Sequence, residues 1–437
     1  MLTVLGYGIV LVFMALIMTK KMSAMTSLII IPVIFALLGG FGLEKIGEFS
    51  KAGIASVAPT AAMLLFAIMF FGLMIHVGLF DPLVNWAIKK TKGDPVRVLV
   101  ATAILAAVVS LDGDGTTTTM ICCSALVPVY KKLDLKLLYL AVIVILQNSI
   151  MNLLPWGGPT ARVVSALGVN EQEILKALIP GMVIACVYVI FVAYILGKKE
   201  RKRLGHVFID EKVMDEIAAA AEAEKSEEVK ALRRPKLIWI NLILTLVVVY
   251  LLVDGTLPAV VIFEIGAALA LVINYKSLKT QRKLIEDIAG DAIQVIVMVL
   301  AAGIFMGILT NSGMAEAMAT SLTKLIPEGL ASRFPLLTAI ISIPGTYLLS
   351  NDAFYYGVLP VLAETGAAYG FTSLQLGVAS VMGQAFHLLS PLVAFIYLLI
   401  QLTEVDMGEW QRESAKWAIG VFVIFVLAAV FTGAFPL

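Results

Sequence analysis

Long apolar runs separated by short polar loops fill most of the 437-residue chain. Many of the runs have a length that crosses a hydrocarbon core of roughly 30 Å at about 1.5 Å rise per residue. In the first half they predict spans over Leu2–Thr19, Thr26–Gly42, Ala61–Phe80 and Ile179–Leu196. In the second half they predict spans over Leu237–Val253, Ala259–Asn274, Ala292–Thr310 and Ala415–Phe431. The amphipathic stretch Leu43–Val57 is expected to lie at the membrane interface.

Two further segments carry a polar turn between apolar runs that are each too short to cross a membrane. In Val96–Tyr130 the turn is Ser110–Thr119, and in Ser332–Thr365 it is Leu349–Ala353. Each segment predicts a re-entrant hairpin, which enters the membrane, turns at mid-depth and leaves on the same side. Acidic side chains and bare backbone at that depth must face protein or a watery cavity, so both turns are candidate binding sites.

Two long apolar runs are interrupted by residues that stop helices. Leu137–Leu167 is interrupted at Asn152-Leu-Leu-Pro-Trp-Gly-Gly-Pro159, and Ser373–Gln401 at His387-Leu-Leu-Ser-Pro391. Proline removes a backbone donor and ends the helix, which leaves helix-end N–H and C=O groups available to ions and substrate. Both runs are therefore predicted to be broken transmembrane helices.

The order of these elements repeats in the two halves of the chain. Phe71-Gly-Leu-Met74 is matched by Met306-Gly-Ile-Leu309, and Asp114 at the first turn by Asp352 at the second. Each unit reads as three spans, a hairpin, a broken span and a final span. The predicted parts are a first repeat at 1–197 (scaffold spans at 1–57, transport hairpin and broken helix at 96–167), a cytoplasmic linker at 198–235, and a second repeat at 236–437 (hairpin at 332–365, broken helix at 373–401).

Lysine and arginine residues cluster in alternate loops, which predicts the orientation. Lys20-Lys21, Lys89–Arg97, Lys131–Lys136, the linker and Lys276–Lys283 all fall on one side. The positive-inside rule makes that side cytoplasmic and puts both termini outside a multi-pass plasma-membrane protein. Each unit then has an odd number of full spans, so the two repeats are expected to be inverted relative to each other, an arrangement typical of secondary transporters.

The composition supports an all-α polytopic membrane protein. Hydrophobic residues make up 60% and charged residues 14% of the chain, and the mean hydropathy is +0.97. A soluble domain is about half apolar and a quarter charged. Long unbroken apolar runs disfavour a β-barrel. The sequence has no zinc-binding motif and no nucleophile–base pair, so an intramembrane enzyme is not expected. Paired hairpins also argue against a channel.

Acidic residues at the turns are the candidates for cation chemistry. Asp112, Asp114 and Asp352 are predicted to bind a divalent metal or carry protons, because carboxylate oxygens suit both tasks. His387 is a further candidate for proton coupling, since histidine titrates near neutral pH. The alternative for each aspartate is a helix cap, and for His387 a structural hydrogen bond.

An arginine and a set of neutral polar groups are the candidates for binding an anionic substrate. Arg162 is the only cation well inside a predicted span, and its guanidinium suits a carboxylate. The alternative to substrate binding is a structural ion pair of Arg162 with Asp112 or Asp114. The other predicted substrate-binding residues are Thr116, Thr117, Thr118, Asn152, Gly157, Gly158, Ser350, Asn351, His387 and Ser390.

Four motifs closely resemble those of the bacterial citrate–divalent metal/proton symporters. They are Ser110-Leu-Asp-Gly-Asp-Gly-Thr-Thr-Thr118, Pro155-Trp-Gly-Gly-Pro-Thr-Ala-Arg-Val163, Asn351-Asp-Ala-Phe-Tyr-Tyr-Gly-Val-Leu-Pro-Val361 and His387-Leu-Leu-Ser-Pro-Leu392. The resemblance runs nearly end to end. It implies proton-driven uptake of citrate complexed with Mg²⁺, Ca²⁺ or a related metal. It also implies a homodimer whose protomers each have a scaffold and a mobile transport domain that moves like an elevator.

Sodium coupling stays an alternative to protons, because the wider superfamily also contains sodium-coupled carriers. Sodium-coupled dicarboxylate carriers of the wider superfamily have Ser-Asn-Thr at both tips, whereas this chain has Asp112-Gly-Asp-Gly115 and Ser350-Asn-Asp352. Acidic tips favour protons or a divalent metal. The metal is expected as part of the cargo, with no permanently bound cofactor and no nucleic-acid partner. The alternative is a sodium-coupled di- or tricarboxylate transporter.

Overall fold

The computed structural model describes residues 1–89, 93–204, 227–324 and 326–436, and within these ranges the chain is helical and contains no strand. The helices of the first half are α1 Leu2–Met18, α2 Ala24–Leu38, α3 Leu43–Val77, α4 Asp81–Lys89, α5 Pro95–Val109, α6 Gly115–Lys132, α7 Leu137–Met151, α8 Gly158–Leu167 and α9 Glu171–Leu204. They follow the predicted order of spans, hairpin, broken helix and final span.

A short helix, α10 Glu227–Leu232, lies inside the predicted linker, and the helices after it follow the same order. They are α11 Ile238–Asp254, α12 Ala259–Asn274, α13 Leu278–Asn311, α14 Met314–Thr323, α15 Glu328–Ala331, α16 Phe334–Leu348, α17 Leu359–Ala368, α18 Ser373–Ser380, α19 Gln384–His387, α20 Ala394–Thr403 and α21 Met407–Phe431. A π-helix over Ala353–Val358 runs directly into α17.

Several of the described helices are long and apolar enough to cross a membrane. The segments that reach this length are Leu43–Val77, Pro95–Asp112, Glu171–Leu204, Glu227–Asp254, Ala292–Asn311 and Met407–Phe431. Shorter apolar helices of 10–17 residues, including α1, α2 and α12, accompany them. Pro95–Asp112 contains the predicted first arm of the re-entrant hairpin. Its length alone does not distinguish a hairpin arm from a membrane-spanning helix.

Helices α3 and α13 form the longest packed pair of the fold. A Cβ added at Gly53 would overlap the carbonyl oxygen of Gly303 and lie 2.7 Å from the Cα of Gly307, so the two backbones touch. This contact explains a difference from the sequence analysis. The stretch Leu43–Val57 is the first part of the continuous helix α3 rather than a separate interfacial helix, because Gly53 and Val57 are buried against α13.

The first hairpin folds back on itself as predicted. Thr102 on α5 and Tyr130 on α6 form a buried hydrogen bond of 2.9 Å between their hydroxyl oxygens, and the chain reverses between them. Both arms therefore leave the turn in the same direction.

The linker begins later than predicted because α9 continues to Leu204. Glu200, which is 1% exposed, accepts hydrogen bonds from Arg203 at 2.7 Å and from the backbone N–H of Lys136 at 3.1 Å. Arg201 donates to Asp94, the N-cap of α5, at 2.7 Å. These contacts hold the end of α9 against the base of the first hairpin. Residues 205–226 of the predicted linker lie outside the described residues.

Candidate functional site

The first hairpin tip is organised by its two aspartates. A 3₁₀ turn over Ser110–Asp112 is followed by Gly113 with a φ of 76°, a left-handed conformation that favours glycine. Asp112 Oδ1 accepts a hydrogen bond from the backbone N–H of Asp114 at 2.9 Å. Asp114 is the N-cap of α6, and its Oδ2 accepts from the backbone N–H of Thr117 at 2.6 Å. Each carboxylate thus stabilises the turn with one oxygen, as the capping alternative predicted for Asp114.

A buried hydroxyl cluster supports this tip from below. Thr118 Oγ1 lies 3.0 Å from Ser110 Oγ and donates to the carbonyl oxygen of Asp114 at 2.8 Å. Asn148, on α7, donates through Nδ2 to Thr118 Oγ1 at 3.3 Å and to Ser110 Oγ at 3.4 Å. Thr116 is exposed on the outer face of the same turn. Of the predicted threonines, Thr118 is therefore part of the support, and Thr116 and Thr117 are the more accessible ones.

The first tip packs directly on the first helix break. A Cβ at Gly113 would lie 3.0 Å from the Cα of Gly157, and Trp156 Nε1 donates a hydrogen bond to the carbonyl oxygen of Leu111 at 2.8 Å. Trp156 also stacks on Phe71 of α3, with 5.7 Å between ring centroids. Glycine at both contact positions lets the two irregular segments touch through their backbones.

Asn152 holds the first break in shape. Its Oδ1 accepts a hydrogen bond from the backbone N–H of Gly158, the first residue of α8, at 3.1 Å. A Cβ at Gly157 would overlap the carbonyl oxygen of Asn152, so only glycine fits there. The predicted residues Asn152, Gly157 and Gly158 are therefore brought together, and the amide of Asn152 serves the turn itself.

The second tip is built on Ser350 and a π-helix. Ser350 Oγ accepts a hydrogen bond from the backbone N–H of Ala353 at 3.2 Å. The π-helix over Ala353–Val358 buries Tyr355 and Tyr356 completely. Single π turns inside helices are frequent at functional sites, because they redirect neighbouring side chains. Sequence reasoning did not predict this feature.

The second break contacts the second hairpin through side-chain hydrogen bonds. Gln384 donates through Nε2 to Asn351 Oδ1 at 3.2 Å and to the hydroxyl of Tyr355 at 2.6 Å. His387 Nδ1 lies 2.5 Å from the carbonyl oxygen of Thr346, and Ser390 Oγ donates to the carbonyl oxygen of Tyr347 at 2.7 Å. The break is longer than predicted and already begins at residue 381, after the end of α18.

One ion pair joins the two halves at this point. Arg162 Nε, on α8, lies 2.7 Å from Asp352 Oδ1 at the second tip, and its Nη1 donates to the carbonyl oxygen of Gly158 at 2.8 Å. The two side chains are about one fifth exposed, at 21% and 18%. Ser165, one turn further along α8, bonds to the hydroxyl of Tyr356 at 3.2 Å. The partner of Arg162 is thus Asp352 and not Asp112 or Asp114, the alternative left open by the sequence.

The family of the chain follows from comparison with known proteins. A family model described as "Citrate transporter" matches residues 13–383. The chain belongs to the citrate transporter family. It is therefore a multi-pass membrane transporter and not an enzyme.

Two relatives from Bacillus subtilis (strain 168) are similar to this family member over nearly their whole length. One, named "Citrate transporter", is 47% identical over 433 residues, with 99% of each chain covered. Another, named "Mg(2+)/citrate complex secondary transporter", is 43% identical over 435 residues, again with 99% of each chain covered.

Two solved transporter structures share the fold of this citrate transporter family member. The Alcanivorax borkumensis YdaH transporter superposes with a TM-score of 0.57 at 13% identity, covering 90% of both chains. Neisseria gonorrhoeae MtrF superposes with a TM-score of 0.52 at 12% identity, covering 91% of this chain and 84% of the other. At these identities the likeness concerns the fold alone.

The three aspartates predicted to bind metal in this transporter do not form one cluster. Asp112 and Asp114 lie together at the first tip, whereas Asp352 is engaged by Arg162. Within the described residues no group of three or more His, Cys, Asp or Glu side chains is arranged to hold a metal ion. A divalent metal at the first tip would therefore need further oxygen ligands, which a bound carboxylate can supply.

Sequence reasoning missed two buried amides beside the tips of this transporter. Asn148 lies under the first tip and Gln384 under the second, and both donate hydrogen bonds to tip residues. The side-chain oxygens Asn148 Oδ1 and Gln384 Oε1 are buried without a hydrogen-bond partner among the described residues. A polar residue inside an apolar run next to each break was the available signal. Unpaired buried carbonyl oxygens are costly and often mark a place that a cation or water occupies.

Proposed function

We propose that the protein is a secondary active transporter that imports citrate as a divalent-metal complex together with protons, by alternating access. The observation that carries this proposal is the ion pair of Arg162 with Asp352, held between the first helix break and the second hairpin tip. The pair combines a carboxylate-binding guanidinium with a carboxylate at the point where the helix after the first break meets the second tip.

Arg162 is suited to bind one carboxylate of citrate. A guanidinium has five N–H donors, of which the Nε donor serves Asp352 and one Nη1 donor serves Gly158. Removing Asp352 from Nε would expose an edge with two parallel donors, the geometry that binds a carboxylate bidentately. The citrate carboxylate and Asp352 would compete for the same edge.

That competition supplies a route for proton coupling. When Asp352 binds a proton, it loses the charge that holds Arg162, and the guanidinium becomes available to the substrate. When citrate leaves, Arg162 and a deprotonated Asp352 pair again. Citrate binding and protonation of Asp352 therefore favour each other, which is the linkage that a symporter needs.

The metal in the cargo suits the charge of the site. Free citrate carries about three negative charges near neutral pH and its divalent-metal complex about one, because its carboxyl groups are ionised. Removing a more highly charged ion from water costs more. Asp112 and Asp114 at the first tip would offer oxygens to Mg²⁺, Ca²⁺ or a similar ion, and citrate itself would supply the rest.

The transport movement is proposed to follow two inverted repeats. Helix α3 ends at Gly78 and α13 ends before Gly313, and both glycines have a left-handed φ, 84° and 75°. This match supports the repeat predicted from Phe71–Met74 and Met306–Leu309. The crossed α3 and α13, with touching backbones at Gly53, would belong to the scaffold of a homodimer, and the tips and breaks to an elevator-type transport domain.

The same proposal assigns the membrane orientation. The basic loops face the cytoplasm of a bacterial plasma membrane and both termini face outside, as the distribution of lysine and arginine predicts.

Sodium coupling is the second candidate. Asn148 Oδ1 and Gln384 Oε1 are neutral oxygens buried without a partner beside the tips. Neutral amide and hydroxyl oxygens are the ligands of a site for a monovalent cation, so each tip offers such a position. A sodium-coupled di- or tricarboxylate transporter would use both positions.

Uptake of labelled citrate into proteoliposomes separates these candidates. Mg²⁺, Ca²⁺, Zn²⁺ and a chelator would be compared under an inward proton gradient and under an inward sodium gradient. We expect uptake that requires both a divalent metal and the proton gradient. Uptake that persists in chelator and follows sodium would select the second candidate, and absence of citrate uptake under all conditions would exclude both.

A further inference from the structure

A cavity outside the tip region leads toward the Arg162–Asp352 pair. It has a volume of about 380 Å³ and lies between the long helices α3 and α13 on one side and α8 and α17 on the other. This volume is within the range of about 300–1,000 Å³ found for small-molecule sites. Its polar lining consists of Ser56, Ser165, Thr310, Asn311, Glu364 and Ser373.

Ser165 connects this cavity to the candidate substrate site. This residue lines the cavity, and its hydroxyl donates to the carbonyl oxygen of Arg162 at 3.0 Å and bonds to the hydroxyl of Tyr356 at 3.2 Å. The cavity therefore reaches the turn of α8 that follows Arg162. The rest of the cavity follows the end of α8 at Gly168 and the start of α18 at Ser373, on the side that the basic loops predict to be outside.

The cavity carries negative charge and no positive charge. Glu364 is half-buried and is the one ionisable side chain among the described residues that line the cavity. The carboxylate of Glu316, on the first turn of α14, is close enough to interact with it electrostatically. An entrance with this charge would repel a free tricarboxylate. The charge of the cavity therefore bears on which form of citrate enters.

We propose that Glu364 is a specificity-determining residue that makes the entrance select metal-complexed citrate against free citrate. The inference rests on the proposed function, because it presumes that citrate is the cargo. Repulsion by Glu364 grows with the negative charge of the entering species, so free citrate is disfavoured more than its divalent-metal complex. The bound metal also presents positive charge to the carboxylate. Glu364 thereby discriminates between free and metal-complexed citrate before the substrate reaches Arg162.

The test measures how strongly the protein prefers the complex. Initial uptake rates of labelled citrate into proteoliposomes would be recorded at several concentrations, once in saturating Mg²⁺ and once in chelator without metal. The ratio of the two kcat/KM values would be compared between wild type, Glu364→Gln and Glu364→Asp. Glu44→Gln is the matched control, because Glu44 is an exposed carboxylate on the first turn of α3 and does not line the cavity.

We expect Glu364→Gln to reduce the preference for the complex about fivefold, since the entering species differ by about two charges and lie several ångströms from the carboxylate. Glu364→Asp, which keeps the charge, should retain most of the preference, and Glu44→Gln should leave it unchanged. An unchanged ratio in Glu364→Gln, with Mg²⁺–citrate uptake intact, would overturn the inference.

A measurement on wild type keeps the test decisive if Glu364→Gln does not fold. Raising the monovalent salt from about 20 mM to about 300 mM shortens the screening length and should raise uptake of free citrate relative to the complex. A ratio that does not respond to salt would overturn the inference. Wild-type uptake that is equally fast with Mg²⁺ and with chelator would instead mean that the metal part of the proposed function has failed.

Discussion

Arg162 and Asp352 are 190 residues apart in the chain, and their side chains form an ion pair of 2.7 Å between Nε and Oδ1. The arginine comes from the helix that follows the first break and the aspartate from the second hairpin tip. This pair joins irregular segments of the two halves, so any movement that brings substrate to Arg162 must also act on Asp352.

Replacing Arg162 should abolish citrate transport. We expect Arg162→Ala, and also Arg162→Lys, to weaken citrate binding by at least about a hundredfold, because a lysine cannot supply two parallel donors to one carboxylate. Isothermal titration of the purified protein with Mg²⁺–citrate measures this. Unchanged affinity in Arg162→Lys would exclude the bidentate role.

The same arginine should contribute to stability through its partner. Arg162→Ala leaves Asp352 as a partly buried, unpaired carboxylate, and removing one member of a buried pair typically costs about 3–5 kcal/mol, less here because both side chains are about one fifth exposed. The double variant Arg162→Ala with Asp352→Asn should recover part of the loss. Thermal unfolding in detergent, analysed as a double-mutant cycle, gives the coupling energy, and strict additivity would mean that the pair does not stabilise the fold.

Replacing Asp352 by asparagine should remove the dependence of citrate binding on pH. In the proposed coupling, proton binding at Asp352 and citrate binding at Arg162 favour each other, so citrate affinity in wild type should rise as the pH falls. Asp352→Asn removes the competing negative charge from Arg162 and should bind citrate with an affinity that depends much less on pH. A variant that keeps the wild-type pH profile would move proton coupling to another group.

Substitutions at the first tip should affect the metal requirement. Asp114→Asn removes the charge but keeps a good N-cap for α6, so the protein should fold while its dependence on Mg²⁺ weakens about tenfold or more. Asp112→Asn should act in the same direction. Asp134→Asn, at the far end of the same hairpin, is the control for loss of one carboxylate. Wild-type metal dependence in both tip variants would exclude the tip as a metal ligand.

The contact between the first tip and the first break should be sensitive to a single methyl group. Gly113→Ala places a Cβ 3.0 Å from the Cα of Gly157 and forces alanine into a φ of 76°, which alone costs about 1–2 kcal/mol. We expect lower thermal stability and strongly reduced uptake. Gly433→Ala is the control for backbone strain, because Gly433 has a φ of 74° and open space around it. Equal effects of the two substitutions would show that the tip–break contact has no special importance.

Much of the helical organisation was predictable from the sequence. A lipid-facing helix needs a long apolar run, so hydropathy predicted the hairpin turn at Ser110–Thr119 and the break at Asn152–Pro159. Irregular backbone lies within both segments, although α6 already begins at Gly115 and α8 at Gly158. Local patterns also predicted Asp114 as either ligand or cap, because an Asp before a helix has a known local geometry.

Other features depended on contacts between distant segments. The pattern predicted Leu43–Val57 as an interfacial helix, but its glycine packs on α13 and makes it part of one long helix. In the sequence, Asn148 and Gln384 are single polar residues in apolar runs. Only the fold shows that both amides donate hydrogen bonds to residues of the hairpin tips.

The sequence by itself determined the order of the apolar helices and the approximate positions of the hairpin turns and breaks, because those properties depend on a residue's own neighbours and on its preference for lipid or water. Only the tertiary structure decided which groups meet. Arg162 could have paired with Asp112 or Asp114, which are closer in the chain, but the packing of the second hairpin over the first break brings Asp352 to it. Charge pairing depends on distance in space, and that distance is a property of the whole fold.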